Sequence, residues 1–349
     1  MKRVIFLHPS IHNLNEMVKY LCISDLPITK ELVWDDKNPE IVIASEHIYK
    51  NYKMMKQLKM LSKKNVLLVY HAGEASFPDL TIFDYAISIN TRLTNLDRIV
   101  RIPPSVFYAR STIETIKEND LDSLRANEVF KQKKDFCNFI YSNPVAHPMR
   151  DELFYRLSEY KKVDSLGSHL NNANNTITRR EKNWAVLSVM MKEPYKFTIA
   201  SENALFDGYT SEKLLTTFQA HSIPIYWGNP YVAEEFNEDA FINCHAFETI
   251  EQIVERVKEI DNDDDLWKKM IAAPWQTEKQ KKNVEIQMKE YSDFITRLFT
   301  SDYDLLKRRP EGTFAGIYSS WFFRRYRVKN SFFQSLKNYL KRKLTKNKR

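Results

Sequence analysis

The chain has 349 residues, room for about two domains of ordinary size, with 43% hydrophobic and 28% charged residues. That composition excludes disordered and fibrous classes, and no apolar run approaches the 18 or so residues of a membrane span. The net charge of +8 is uneven: residues 307–349 carry fourteen Lys and Arg against Glu311 alone, so residues 1–306 sum to −5. A mildly acidic body with a basic end argues against a nucleic-acid binder and for an anionic surface touched by one end of the chain. Cys22, Cys137 and Cys244 are odd in number and far apart, against a disulfide framework or a cysteine zinc site and for a reducing compartment. The apolar run at the N-terminus is far too short for a signal peptide, so the expected location is cytoplasmic, peripheral on the inner face of a membrane.

In chain order, short β-rich runs occur at 3–7, 41–45, 66–70 and 85–89, with a helical stretch at 47–61. Apolar runs of this length separated by helices predict a parallel sheet covered on both faces. A polar helical stretch, 110–134, reads as a link. The alternation then resumes: strand 136–141, helix 150–160, strand 162–166, an Asn-rich loop at 171–175 and a helix through Trp184 to Met191. Strand 195–200, helix 212–220, strands 222–227 and 241–243, and a helix bearing Ile250, Ile253, Val254, Val257 and Ile260 complete it. The fold class predicted is α/β: two Rossmann-like domains facing a central cleft. Their spans are 1–130 and 131–300, followed by a basic amphipathic helical tail over 307–349. Glycine numbers only six, where average usage gives roughly two dozen. Gly73, Gly167, Gly208 and Gly228 all fall at or near predicted strand ends, where open α/β sheets bind ligands.

The densest chemistry lies in Tyr195-Lys196-Phe197-Thr198-Ile199-Ala200-Ser201-Glu202-Asn203 and Asp207-Gly208-Tyr209-Thr210-Ser211-Glu212-Lys213. This is a strand, a loop and a helix start. Thr210 or Ser211 can cap that helix, and free N–H groups with the helix dipole make an anion site. Lys213 opposes the dipole, a local conflict of the kind expected at functional sites. Ser222-Ile223-Pro224-Ile225-Tyr226-Trp227-Gly228-Asn229-Pro230 then reads as a strand ending in a tight turn.

The pattern Y-K-F-x-x-x-x-E-N, G-Y-x-x-E-K and I-P-I-Y-W-G-x-P resembles the signature of the α1,3-fucosyltransferases, glycosyltransferase family ten, in their bacterial type without a transmembrane anchor. Ser142-Asn143-Pro144 with Arg150 and Phe154-Tyr155 is similar to the family's S-N-P…R…F-Y segment. Tyr70-His71-Ala72-Gly73-Glu74 with Phe83-Asp84-Tyr85-Ala86-Ile87 resembles its N-terminal G-E…F-D-Y-A-I. Ser201 stands where the family usually has an aromatic, and Tyr209-Thr210-Ser211 where it has Tyr-Val-Thr; neither change removes a charge. The resemblance implies transfer of L-fucose from GDP-fucose, with inversion, to a glycan containing N-acetylglucosamine. The acceptor class implied is N-acetyllactosamine-like, on lipopolysaccharide or surface polysaccharide. It implies Glu74 as the base and Arg150 and Lys213 as the groups offsetting the diphosphate. Asn203, Tyr209 and Glu212 are implied as contacts to nucleotide or fucose, with Glu202 orienting its neighbours. Glu212 either accepts from the ribose or supports oxocarbenium charge. No cofactor is implied, a divalent ion stimulating at most. Two other readings stay open: a transferase of another sugar nucleotide, and a non-catalytic binder of anionic surfaces.

Other features have plainer readings. The run Asp261-Asn262-Asp263-Asp264-Asp265 reads as acids opening a helix rather than as a metal site, and no histidine has ligand spacing. Tyr195, Phe197 and Trp227 read as core. In the tail, Phe332, Phe333, Leu336, Tyr339, Leu340 and Leu344 share a helical face amid lysines, the pattern of a helix lying on an anionic bilayer. Trp321-Phe322-Phe323-Arg324-Arg325 suits a headgroup region.

Overall fold

A computed structural model describes residues 1–89, 97–111, 123–173 and 184–331. By packing, the chain divides into two units, one of Met1–Ile89, Leu93–Ile102 and everything from Lys289 on, the other chiefly of Pro103–Met288.

The first unit opens with β1 (Lys2–Leu7), α1 (Leu14–Tyr20), β2 (Leu32–Trp34), β3 (Ile41–Ser45), α2 (Tyr52–Leu61), β4 (Leu67–His71), β5 (Tyr85–Ser88) and β6 (Ile99–Arg101). These form one parallel sheet in the order β2-β1-β3-β4-β5-β6. β3, β4 and β5 are buried at every position, as a sheet covered on both faces requires. Helix 47–61 of the sequence reading begins as a 3-10 turn, Glu46–Lys50, and becomes α-helical only where Asn51 caps α2 through Lys53 and Met54 N–H.

The second unit contains α3 (Pro104–Ser111), α4 (Ser123–Gln132), β7 (Asp135–Phe139), α5 (Met149–Tyr160), β8 (Val163–Ser165), α6 (Trp184–Lys192), β9 (Tyr195–Ser201), α7 (Glu212–Gln219), β10 (Ile223–Trp227), β11 (Ile242–Asn243), α8 (Ile250–Asp261) and α9 (Asp264–Ala272). Its sheet is parallel too, in the order β11-β10-β9-β7-β8. The core joins Phe139, Phe197, Ile199, Ile225 and Trp227 to the apolar faces of α5, α8 and α9. The acidic run has structural work: Asp263 caps α9 through Asp265 and Leu266 N–H. Asp261 is ion-paired with Lys161 and Lys196.

The unit boundary falls inside α10 (Glu278–Thr300). From its second half Tyr291 donates to the Leu21 carbonyl at 2.6 Å and Phe294 meets Tyr85 edge-on. α11 (Tyr303–Leu306) and α12 (Thr313–Ser331) follow. The segment read as a basic amphipathic tail from residue 307 is anchored at its start. Asp84, fully buried, accepts from Arg308 and Arg309 N–H at 2.9 Å and pairs with the Arg309 guanidinium. Phe322 and Phe323 are 4% and 5% exposed in the core with Tyr70 and Met54. The headgroup reading of Trp321–Arg325 is corrected at these two residues: they cover an apolar face of the first sheet. The stripe from Phe332 to Leu344 lies outside the described residues, and so does most of the link read at 110–134. Among the described residues no helix is long and apolar enough to cross a membrane.

Candidate active site

In the second sheet the chain goes from β7 outward to β8, then returns to lay β9 on β7's other side. Loops leaving adjacent strands in opposite directions open a crevice at their carboxyl ends. Tyr141, just beyond β7, ties the crevice floor: its hydroxyl lies 2.9 Å from the Ile199 and Ser201 carbonyls and accepts from Ser201 N–H at 2.7 Å. His147 N–H donates to the Asn203 carbonyl at 2.9 Å, joining the two loops.

Arg150, in the first turn of α5, is fully buried. Its guanidinium donates to the Asn143 carbonyl at 2.8 Å and to Asn203 Oδ1 at 3.3 Å, and lies over the Tyr141 ring. It therefore holds both loops while placing a positive charge under them. Glu202 is also fully buried. Its carboxylate accepts from Ser211 N–H and Oγ, both at 2.7 Å, and from Lys213 Nζ at 3.1 Å. This corrects part of the expected anion site. Ser211 does cap α7, but its own N–H belongs to Glu202 and the Lys213 N–H to Ser211 Oγ. The apparent conflict of Lys213 with the helix dipole is resolved by the same carboxylate. Burial works against the Lys213 charge, but Glu202 and Glu212 outweigh it and hold the ammonium above its ordinary range.

Beside this network is a cavity of about 410 Å³ lined by Asn143, Asn203, Glu212, Lys213, Thr216 and Lys192, with Trp184 on its wall; Arg150 and Glu202 lie behind it. That size suits a nucleotide-sized ligand. Permanent positive charge at Lys213, an acidic acceptor at Glu212 and amides at Asn143 and Asn203 suit a diphosphate and a sugar. Tyr209 is 2% exposed and does not line the cavity; its carbonyl accepts from Tyr226 at 3.3 Å.

Glu74 belongs to the first unit, three residues beyond the end of β4. Its carbonyl accepts from Ser76 Oγ, which contacts the Tyr70 hydroxyl. The preceding Gly73 N–H donates to Glu46 Oε2 at 3.2 Å, and a Cβ on Gly73 would come 3.0 Å from the Tyr20 hydroxyl. Burial, then Glu46 and Glu74, push the Tyr20 phenol far up, so it stays a neutral donor beside both carboxylates. His8, His47 and His71 cluster with Glu46 at the carboxyl ends of β1, β3 and β4.

The family model for the C-terminal domain of glycosyltransferase family 10 (fucosyltransferase) matches residues 130–301. That match spans just under half of the chain. An α-(1,3)-fucosyltransferase, FucT of Helicobacter pylori, is 30% identical over 228 residues, 57% of this chain and 45% of that protein. The human GDP-fucose protein O-fucosyltransferase 3 is 26% identical over 215 residues, 59% of this chain and 41% of the relative. The chain thus spans less than half the length of these relatives. In fold it is similar to a crystal structure of an α1,3-fucosyltransferase, TM-score 0.69 at 22% identity over 89% of this chain and 93% of the other. A crystal structure of α1,3-fucosyltransferase with GDP-fucose gives 0.66 at 21% over 86% and 91%.

Within residues 130–301 the structure brings together Arg150, Glu202, Asn203, Glu212 and Lys213, all named from sequence. It adds Lys192, Asn143 and Trp184. Lys192 escaped notice because a lysine closing a short helix ordinarily points to water. Its signal was spacing: Trp184, Ser188 and Lys192 recur every four residues, on one helical face.

Proposed function

We propose that this chain is an inverting α1,3-fucosyltransferase of two-domain GT-B type, using GDP-fucose and an N-acetylglucosamine-containing glycan of the lipopolysaccharide or surface-polysaccharide kind. The observation that carries the donor half is the crevice beyond β7 and β9 within residues 130–301, with Lys213 held charged beside Glu212 and Asn203. In the reaction the acceptor oxygen bonds to fucose C1 as the C1–O bond to GDP breaks, and the acceptor proton passes to Glu74. Lys213 offsets the leaving diphosphate directly; Arg150 adds its field while fixing Asn143 and Asn203. With two cations so placed, no metal is needed to carry that charge. Glu212 faces the ribose or the developing charge at C1. Glu202 acts through Ser211 and Lys213.

The protein is further proposed to sit peripherally on an anionic membrane surface. Phe314, Ile317 and Trp321 are 88%, 60% and 49% exposed along one face of α12, and the sequence beyond is strongly basic.

The decisive experiment is Glu74→Gln, assayed with GDP-fucose and a panel of glycan acceptors. A peptide acceptor joins the panel because one relative is named for protein O-fucosylation. The variant is expected to keep donor affinity and lose about 10²–10⁴-fold of transfer. Near-wild-type transfer removes Glu74 from the mechanism; absence of fucose transfer by the wild type to every acceptor overturns the reading.

A further inference from the structure

Lys192 closes α6 with only 4% of its surface exposed, yet it lines the cavity. Among the described residues the one acceptor within hydrogen-bond distance of its Nζ is Thr216 Oγ1, at 2.6 Å. An ammonium carries three N–H donors and no acceptor, so this side chain suits a ligand that only accepts. Thr216 stands one helical turn beyond Glu212 on α7, about 5 Å along the helix axis. Lys192 and Thr216 line the same cavity as Lys213, so one nucleotide can reach both lysines, its diphosphate at Lys213 and its base at Lys192. Trp184, on the same face of α6, provides an aromatic wall there.

We propose that Lys192 is a specificity-determining residue of the donor site, donating to the O6/N7 edge of the guanine base. Guanine presents O6 and N7 as two acceptors on that edge, whereas adenine keeps N7 but sets an N6 amino donor in place of O6, where an ammonium finds no acceptor. The inference rests on the GDP-sugar reading above. Protonation of Lys192 follows ligand binding. In the empty pocket burial, the largest influence, pulls its ammonium down to about 7; Lys213 acts in the same direction and Glu212 against it. An acceptor edge at Nζ favours the charged form, so guanine binding draws in a proton near neutral pH.

Calorimetry on the full chain with GDP, inosine diphosphate and ADP tests this. Wild type is expected to prefer GDP over ADP by at least about tenfold. Lys192→Met keeps the length of the side chain and is expected to weaken GDP about ten- to a hundredfold. Inosine diphosphate, which shares O6 and N7, falls equally; ADP, which shares N7 alone, falls at most a few-fold. Wild type alone gives a second measurement, independent of whether the variant folds: titrations near pH 7.5 in two buffers of different ionisation enthalpy. These should show more proton uptake with GDP than with ADP, by up to one proton. Equal weakening of GDP and ADP in Lys192→Met assigns the lysine to the phosphates and overturns the proposal. Unchanged GDP affinity, or equal proton uptake for both nucleotides, overturns it too. A wild type that binds neither nucleotide overturns the donor reading itself, and this inference with it.

Discussion

Glu202 and Lys213 form a nearly buried pair whose loss has two separable consequences. Glu202 has no exposed surface, so removing its cation leaves a carboxylate uncompensated in the interior. Lys213→Met is expected to cost about 3–5 kcal/mol of stability. The double variant Glu202→Gln/Lys213→Met removes both charges and should recover most of that loss. GDP affinity should stay depressed about tenfold or more in both, because the diphosphate has lost a cation either way. Chemical unfolding and calorimetry on the two proteins check this; recovered GDP affinity in the double variant would show that Lys213 serves structure alone. The neighbouring Gly228 explains why Glu202 can lie there. With φ at +154°, any Cβ at this position would sit 2.4 Å from Glu202 Cγ. The scarcity of glycine made such positions conspicuous in the sequence, but the partner each one accommodates was visible only in the fold.

The long buried strands and the amphipathic helices were legible because their apolar periods are unbroken: β3, β9, α5 and α8 lie within a residue or so of their predicted spans. β2 and β6, of three residues each, were not named, although the equally short β8 was. Nor did the sequence indicate that β1, β3 and β4 would each deliver a histidine or glutamate to one end of the sheet. His71 is fully buried there, and desolvation, against a smaller opposing pull from Glu46, lowers its imidazole to about 4. The unfolded chain binds that proton near 6.5. The folded value is therefore depressed, and the stability it supplies is complete above about pH 6.5 and lost as pH falls toward 4, about 3 kcal/mol for His71 alone. Urea unfolding at pH 7.5, 5.5 and 4.5 should show this loss, and His71→Leu should flatten it. Identical pH slopes in the two proteins would mean that His71 is not held neutral.

Charge counting treats residues 307–349 as one basic segment, but its described part has a structural role. Residues 307–331 complete the first unit. Arg309 neutralises the buried Asp84, and Phe322 and Phe323 cover apolar surface beside Tyr49 and Tyr70. Residues 332–349 add seven of the fourteen basic side chains, each worth about 1 kcal/mol near an anionic surface. A chain ending at Leu306 leaves Asp84 uncompensated, a loss of about 3–5 kcal/mol, and removes two core phenylalanines, each a loss of similar size. It is expected to lose the cooperative unfolding of the first unit. A chain ending at Ser331 should unfold like the full-length protein and transfer fucose to a soluble acceptor at the same rate. It should also sediment far less with phosphatidylserine vesicles at low salt, the residual binding coming from Phe314, Ile317 and Trp321. Raising the salt should release the full-length protein toward that residual level, since salt screens the lysines and leaves apolar burial in place. Equal sedimentation of the two chains would assign membrane attachment to the α12 stripe rather than to the basic residues. Intact unfolding of the chain ending at Leu306 would show that Asp84 and the two phenylalanines do not hold the first unit together.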